Sequence, residues 1–522
     1  MTHCDSDHPI RGSRKRRPSH LLVLGLAALL LGAVACEDTE IIEVERPFFP
    51  DPPAQAGGAL GYDEQDEKLT VCGNCHIGTQ NTWEETAHAD AWNTLQESGH
   101  AQEFCEGCHT VNERGNDSEA VLGYAATQDP RYHDVQCESC HGPGETHVSN
   151  PDASQPLASI AVDLGGPGGS LIPSQDPSDG CAECHSGAHH PFVDEWAQSP
   201  HAEAVAYPAG RAGCADCHRG QATLIAWGEN ADYKEKDSSE HLGQVCAVCH
   251  DPHARNNEGQ LRFSVETVDL ESNLCAQCHN RRTEPNPESS HGLEPHAPEA
   301  ALLVGDAGYF FPGTNIGQGE IRGTHGTERN DRSCAACHVN MQEITDQATG
   351  EFVFNSTGHL FRPIPCVDAE GIPQPFGVQC ELTPAERSFD GCVSGACHGS
   401  EQVASSVLRT AVLDVQRLVD ELTDLLEQVD PGLDDAGGEI DANNPTFTVA
   451  EGAFFNRALT LHGDEDFGTN TVVGSTVHNP FLIRALLIQS IQAVEEEYGV
   501  RASLAADWDV ELQKVLLNVP GR

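Results

Sequence analysis

Cys137-Glu138-Ser139-Cys140-His141-Gly142-Pro143-Gly144-Glu145-Thr146-His147 is the stretch whose reading decides the fold. Two cysteines three apart, with histidine directly after the second, form the pattern by which haem c is covalently attached. The cysteines add across the two porphyrin vinyl groups as thioethers. The histidine, held beneath the ring by the same short turn, ligates the iron. The glycines and proline that follow favour turns over helix, which leaves His147 free to reach an iron of its own.

The unit recurs eight times: Cys72-Cys75-His76, Cys105-Cys108-His109, Cys137-Cys140-His141, Cys181-Cys184-His185, Cys214-Cys217-His218, Cys246-Cys249-His250, Cys275-Cys278-His279 and Cys334-Cys337-His338. Cys392-Val393-Ser394-Gly395-Ala396-Cys397-His398 is a ninth candidate with wider cysteine spacing. We number these sites one to nine. Zinc also pairs cysteines, but it does not need histidine after every second one. About nine covalent haem c groups are therefore expected. Of 22 cysteines, Cys4 and Cys36 belong to the leader. Cys366 and Cys380 precede no histidine, so a disulfide between them is expected, as suits an oxidising compartment.

The leader agrees. Arg14-Lys15-Arg16-Arg17 precedes an apolar run from Leu21 to Ala35, short for a membrane span and right for a signal peptide. Gly32-Ala33-Val34-Ala35-Cys36 resembles a bacterial lipoprotein processing site; ordinary cleavage near Ala35 is the alternative. A lipidated Cys36 would tether the chain without spanning the membrane. The expectation is an exported protein, a periplasmic or outer-membrane-associated lipoprotein of a Gram-negative-type bacterium.

With 29 Lys+Arg against 81 Asp+Glu the chain carries −52. Nucleic acid is excluded as a partner. Other redox proteins are the expected partners, basic cytochromes by charge complementarity or a membrane quinol-oxidising complex. Beyond the leader, 487 residues serve nine sites, too few per cofactor for an ordinary apolar core. Fifty glycines and 31 prolines suit a loop-rich wrap around the cofactors.

Residues 36–66, rich in proline and glutamate, read as an extended tether. Then Cys72, Cys105 and Cys137 recur as Cys181, Cys214 and Cys246, each 109 residues on. Trp83 to Ala89 returns as Trp196 to Ala202, and both stretches carry a histidine (His88, His201). A three-haem module over 67–178 is therefore duplicated over 179–260. Sites seven to nine occupy 261–400, and a helical region follows over 401–522. There Leu408, Ala411, Val415, Leu418, Leu422, Leu425 and Val429 alternate steps of three and four, and Asp430-Pro431-Gly432 ends the helix. Further helices are expected from Pro480 to about Tyr498 and from about Leu504 to Leu517.

Fifteen histidines lie outside the leader and motifs: His88, His100, His133, His147, His189, His190, His201, His241, His253, His291, His296, His325, His359, His462 and His478. Nine irons with two axial imidazoles would use nine of them. The leading candidates are His88, His147, His201, His253, His296, His359 and His478, followed by His133, His241 and His325. Beyond Met1 the only methionine is Met341, so sites of the His/Met type, whose potentials are higher, can number at most one.

Several stretches resemble the multihaem superfamily that joins pentahaem nitrite reductase, hydroxylamine oxidoreductase and the latter's tetrahaem electron acceptor. They are the Trp-x-x-Ser/Thr-x-His runs, Cys137 to His147, Cys246 to His253, Pro295-His296-Ala297-Pro298, Phe354-Asn355-Ser356-Thr357-Gly358-His359 and His478-Asn479-Pro480. The resemblance spans about residues 70–400. It implies a mostly α, loop-rich multihaem cytochrome c fold wrapped around stacked haems, with C-terminal helices. The reductases usually replace the motif histidine with lysine at the catalytic haem, whereas every motif here keeps histidine. The favoured reading is thus electron transfer with no catalytic residue. The alternative is an oxidoreductase acting on a small nitrogen or sulfur compound at one open haem. Intact mass of the mature protein should show nine haem additions; eight would mean that Cys392 and Cys397 pair with each other instead.

Overall fold

The computed structural model describes residues 56–522 except 163–176, 188–190, 289–291, 315, 346–351, 395–396, 432–446, 463–466, 468–470, 505 and 521–522. The leader and Cys36 lie outside these residues. The fold is mostly helical with extensive loops, and no helix among the described residues is long and apolar enough to cross a membrane.

The conventional core sits in the C-terminal region. Ser400 caps the Glu401–Val429 helix by accepting from the Val403 amide, and Leu408, Val415, Leu418, Leu422 and Leu425 are its buried stripe. Asp430 ends it, followed by Pro431, which cannot continue a helix. The Val449–Thr460 helix opens on a capping box: the Glu451 amide donates to the Thr448 hydroxyl at 3.1 Å and the Thr448 amide to the Glu451 carboxylate at 2.6 Å. It was not anticipated. It is buried nearly all round, including Gly452, Ala453, Phe454 and Phe455, so no amphipathic period marks it. Gly452 is required, because a Cβ there would stand 2.2 Å from the Tyr309 ring.

The Pro480–Tyr498 helix has the expected bounds. Asn479, fully buried, accepts from the Leu482 amide and donates to the carbonyls of Leu302 and Ile321. One side chain therefore caps the helix and pins it to the 299–321 segment. The last helix, Trp508–Leu517, begins later than its apolar pattern suggests because Asp507 supplies the cap, accepting from the Val510 amide. These helices and the Ala301 to Ile321 stretch share one apolar cluster.

Elsewhere helices run three to seven residues, and two-stranded antiparallel pairs form between Tyr62–Glu64 and Leu69–Thr70 and between Gln342–Thr345 and Phe352–Ser356. Apolar clusters are small: Ala56, Ala59, Val111, Leu122, Tyr124 and Tyr132 in one place, Trp196, Leu224, Tyr233, Val245 and Val248 in another. Residues 36–55 of the expected tether lie outside the described residues, and from 56 on the chain is packed, since Ala56, Ala59, Leu60 and Tyr62 are buried. The reason is Glu138. Its buried carboxylate accepts from the amides of Leu60, Gly61 and Gly144, drawing the early chain onto site three.

The 109-residue repeat has a structural counterpart. The Trp83 indole donates to the Val135 carbonyl, and the Val135 amide donates to the carbonyl of His88. The Trp196 indole donates to Gln244, whose amide donates to His201. Val135 and Gln244 both stand two residues before the third motif of their copy, so the same clamp is built twice. Cys366 and Cys380 form the expected disulfide.

Leu422 is fully buried in the C-terminal cluster. Leu422→Ala should cost about 2–5 kcal/mol, read as a lowered midpoint in denaturant unfolding of the holoprotein followed by far-UV dichroism.

Candidate haem-binding site

The first eight motifs each fold as a single helical turn: the amides of His76, His185, His218, His250, His279 and His338 donate to the carbonyl of the first cysteine of their own motif, that of His109 donates to Glu106, and Cys137–His141 is itself a one-turn helix. In the ninth motif the His398 amide donates to the Cys392 carbonyl at 3.1 Å. None of the eighteen motif cysteines is spent in a disulfide.

Eight motif histidines face a second imidazole. His76 faces His147, His141 faces His253, His185 faces His88 and His218 faces His296. His250 faces His359, His279 faces His201, His338 faces His478 and His398 faces His325. The ring-centre separations all lie between 5.9 and 6.3 Å. A metal–imidazole bond of about 2 Å on each side, plus roughly 1 Å from nitrogen to ring centre, requires ~6 Å. The residues present thus fit an iron held by imidazole on both faces. Among the described residues no three His, Cys, Asp or Glu side chains converge as a zinc site would need.

The rings are oriented for this task. Nδ1 of His109, His141, His250 and His338 donates to the carbonyls of Ala91, Pro156, Gly259 and Phe361, and Nδ1 of His147, His325 and His478 to Ser154, Val477 and Gly474. Fixing the proton on Nδ1 leaves the Nε2 lone pair for a metal. Burial favours the neutral form of four of the facing rings. It pushes His201 down to about 3, helped by His279 and His338, and His296, His359 and His478 to about 4.

Of the ten candidates for the second position, eight stand opposite a motif histidine. His133 does not: it stacks on Trp92 at 3.9 Å and leans on Tyr124. His241 approaches Arg219 at 3.4 Å. The two occupy similar places, four residues before Cys137 and five before Cys246, at the third motif of each copy. Among the described residues no second imidazole faces His109. His189, His190 and His291 lie outside the described residues.

The attachment sites adjoin one another. The thiols of Cys72 and Cys137, Cys108 and Cys184, Cys181 and Cys246, Cys217 and Cys278, and Cys275 and Cys334 lie within hydrogen-bonding reach. Cys140 neighbours Cys181, Cys249 neighbours Cys278, and Cys337 neighbours Cys392 and Cys397. The sites therefore connect as one, three, four, six, seven, eight and nine, with two branching from four and five from seven.

A buried carboxylate missed in the sequence positions one ring. Glu195 accepts from the Thr357 amide and hydroxyl and from the His359 amide, at 2.7–2.8 Å. Nothing in its local pattern, Asp194-Glu195-Trp196, separates it from 81 acidic residues.

Comparison with known proteins follows the same lines. The family of cytochrome c554 and c-prime matches residues 71–142, and a doubled CXXCH motif matches 241–284. The chain is a multihaem c-type cytochrome. It is similar to cytochrome c-554 of Nitrosomonas europaea, 31% identical over 108 residues, which is 17% of this chain and 43% of that protein. The chain thus spans under half the length of the curated relative it matches. The crystal structure of the outer cell wall cytochrome OcwA superposes at a TM-score of 0.48 and 16% identity, covering 84% of this chain and all of that one.

Glu195→Ala would leave three donors beside His359 without their acceptor, at about 1–3 kcal/mol for each group left unsatisfied. A high-spin fraction at one haem, seen by electron paramagnetic resonance, and a lowered melting temperature should follow. Glu195→Gln, which keeps an acceptor oxygen, should show less of both.

Proposed function

We propose that the chain carries electrons between redox partners outside the cytoplasm through about nine covalently attached haems, most of them held between two histidines. The observation that carries this reading is the set of eight imidazole pairs at a common separation. Bound haem supplies reversible one-electron chemistry, and the protein's part is to place and tune it. A histidine on both faces occupies both axial positions, which favours outer-sphere transfer over substrate binding. The unbroken adjacency of attachment sites supports transfer from one end of the series to the other.

The partners proposed are redox proteins, basic cytochromes or a membrane quinol-oxidising complex. The acidic charge would speed encounter with a basic protein at low salt and be screened as salt rises. The export signal and Cys36 support a periplasmic or outer-membrane-associated lipoprotein.

A second reading rests on site two. His109 is prepared as the others are, with Nδ1 donating to Ala91 at 2.7 Å, yet no described imidazole stands opposite. That favours one haem open on its distal face, the requirement for an oxidoreductase acting on a small nitrogen or sulfur compound.

Carbon monoxide separates the readings. Reduced holoprotein should bind one equivalent, at site two, and Cys105→Ala/Cys108→Ala should abolish the spectral change. Turnover of nitrite or hydroxylamine by the same site would establish the oxidoreductase. No binding at all would mean that His109 has a partner and that the protein is a conduit alone.

A further inference from the structure

Site seven differs from sites two, three, six and eight in what supports its motif histidine. Nδ1 of His279 meets the carboxylate of Glu299 at 3.3 Å, where His109, His141, His250 and His338 meet backbone carbonyls. The other Glu299 oxygen meets Nε2 of His462 at 3.3 Å. Glu299 is the first residue of the Glu299–Val304 helix, whose Ala300 amide donates to the His279 carbonyl. Helix and motif turn are therefore fixed to each other, and the carboxylate cannot drift from the ring. His462 follows directly on the Val449–Thr460 helix and its Leu461 cap, so the C-terminal region reaches this haem site through the carboxylate.

The ring of His279 thus meets a carboxylate, where the other four rings meet neutral carbonyls. A hydrogen bond to a charged acceptor is roughly twice as strong as a neutral one. It draws the Nδ1 proton away and makes Nε2 a more basic ligand, and a more basic ligand favours ferric over ferrous iron.

We propose that Glu299 is a positioning residue for site seven that lowers the reduction potential of the haem there, and that His462 moderates it by sharing the carboxylate. The inference rests on the multihaem reading above. Its location gives it consequence. Site seven adjoins five, six and eight through Cys217, Cys249 and Cys334, so every route from the first six sites to the last two passes it. A low potential at that junction sets the step that electrons must climb to cross it.

The test uses the full-length holoprotein. Spectropotentiometric titration of Glu299→Gln should move one component, about one part in nine of the α-band, to higher potential while the rest hold. His462→Leu should move the same component the opposite way, because the carboxylate is then left to His279 alone. Opposite signs from two neighbouring substitutions are not expected from a structural disturbance. Glu299→Asp, whose shorter side chain loses reach, should shift in the direction of Gln; together with His462→Leu it decides the matter should Glu299→Gln fail to fold. Unchanged components, or several moving together, would overturn the inference. A mass analysis finding no haem on the Cys275–Cys278 peptide of the parent protein would instead overturn the multihaem reading.

Discussion

An imidazole that faces another imidazole across about 6 Å has given up the usual ways of being stabilised. The ring-centre spacing of 5.9 to 6.3 Å leaves room between the two rings for one metal atom. Eight such pairs join positions from 71 residues apart, His76 and His147, to 140 apart, His338 and His478. Loop-closure cost rises only slowly with length, so a few strong bonds can fix contacts this remote. On the reading proposed above, coordinate bonds to haem iron would supply that strength, and in such systems ligand binding is folding free energy. The order of events follows. The motif turns are local and can form first; the second histidine of each pair comes from a segment positioned only as the rest assembles.

That constraint explains why the molecule has two kinds of interior. The C-terminal helices bury leucine, isoleucine and phenylalanine in one continuous cluster. Around the motifs the apolar clusters are small, and polar anchors take a larger share. Glu138 gathers three amides from two segments. Glu195 gathers Thr357 and His359. The C-terminal helices use such an anchor as well: Glu421 accepts from Ser503 and Leu504. Hydrogen bonds to charged groups contribute about 1.5–3 kcal/mol each, enough to offset the cost of burying one carboxylate when several donors converge on it. Most of the acidic residues are a solvated surface; these few are structural.

What could be read from the sequence divides along physical lines. The nine motifs, the disulfide and the Pro480 helix were legible because each is set by residues close together in the chain, or, for Cys366 and Cys380, by elimination. Eight of the ten histidines named from the sequence stand opposite a motif histidine, but which faces which could not be read there. His88 lies twelve residues from His76 yet faces His185, and no local property records that. His133 and His241 were misread because they repeat, and repetition marks a common fold as readily as a common ligand. Glu195 and Glu299 were invisible among so many acids; Glu299 had one clue, its place directly after Pro295-His296-Ala297-Pro298. The Val449–Thr460 helix was lost because burial on every side erases the period by which helices are recognised.

The pairing has a directional logic that accounts for the C-terminal region. Site four in the second copy faces His88 from the first, and site seven in the third segment faces His201 from the second. In the other direction, site three faces His253 from the second copy, and sites five and six face His296 and His359 from the third segment. Each module therefore borrows from its neighbours, and none completes its sites alone. Such an array must be closed at its end, as repeat proteins are by capping units. The third segment has no further copy to borrow from, so site eight faces His478, and Asn479 beside it locks that residue's helix to Leu302 and Ile321. The helical region is on this argument the cap of the series: it ends the chain of borrowed histidines with one of its own.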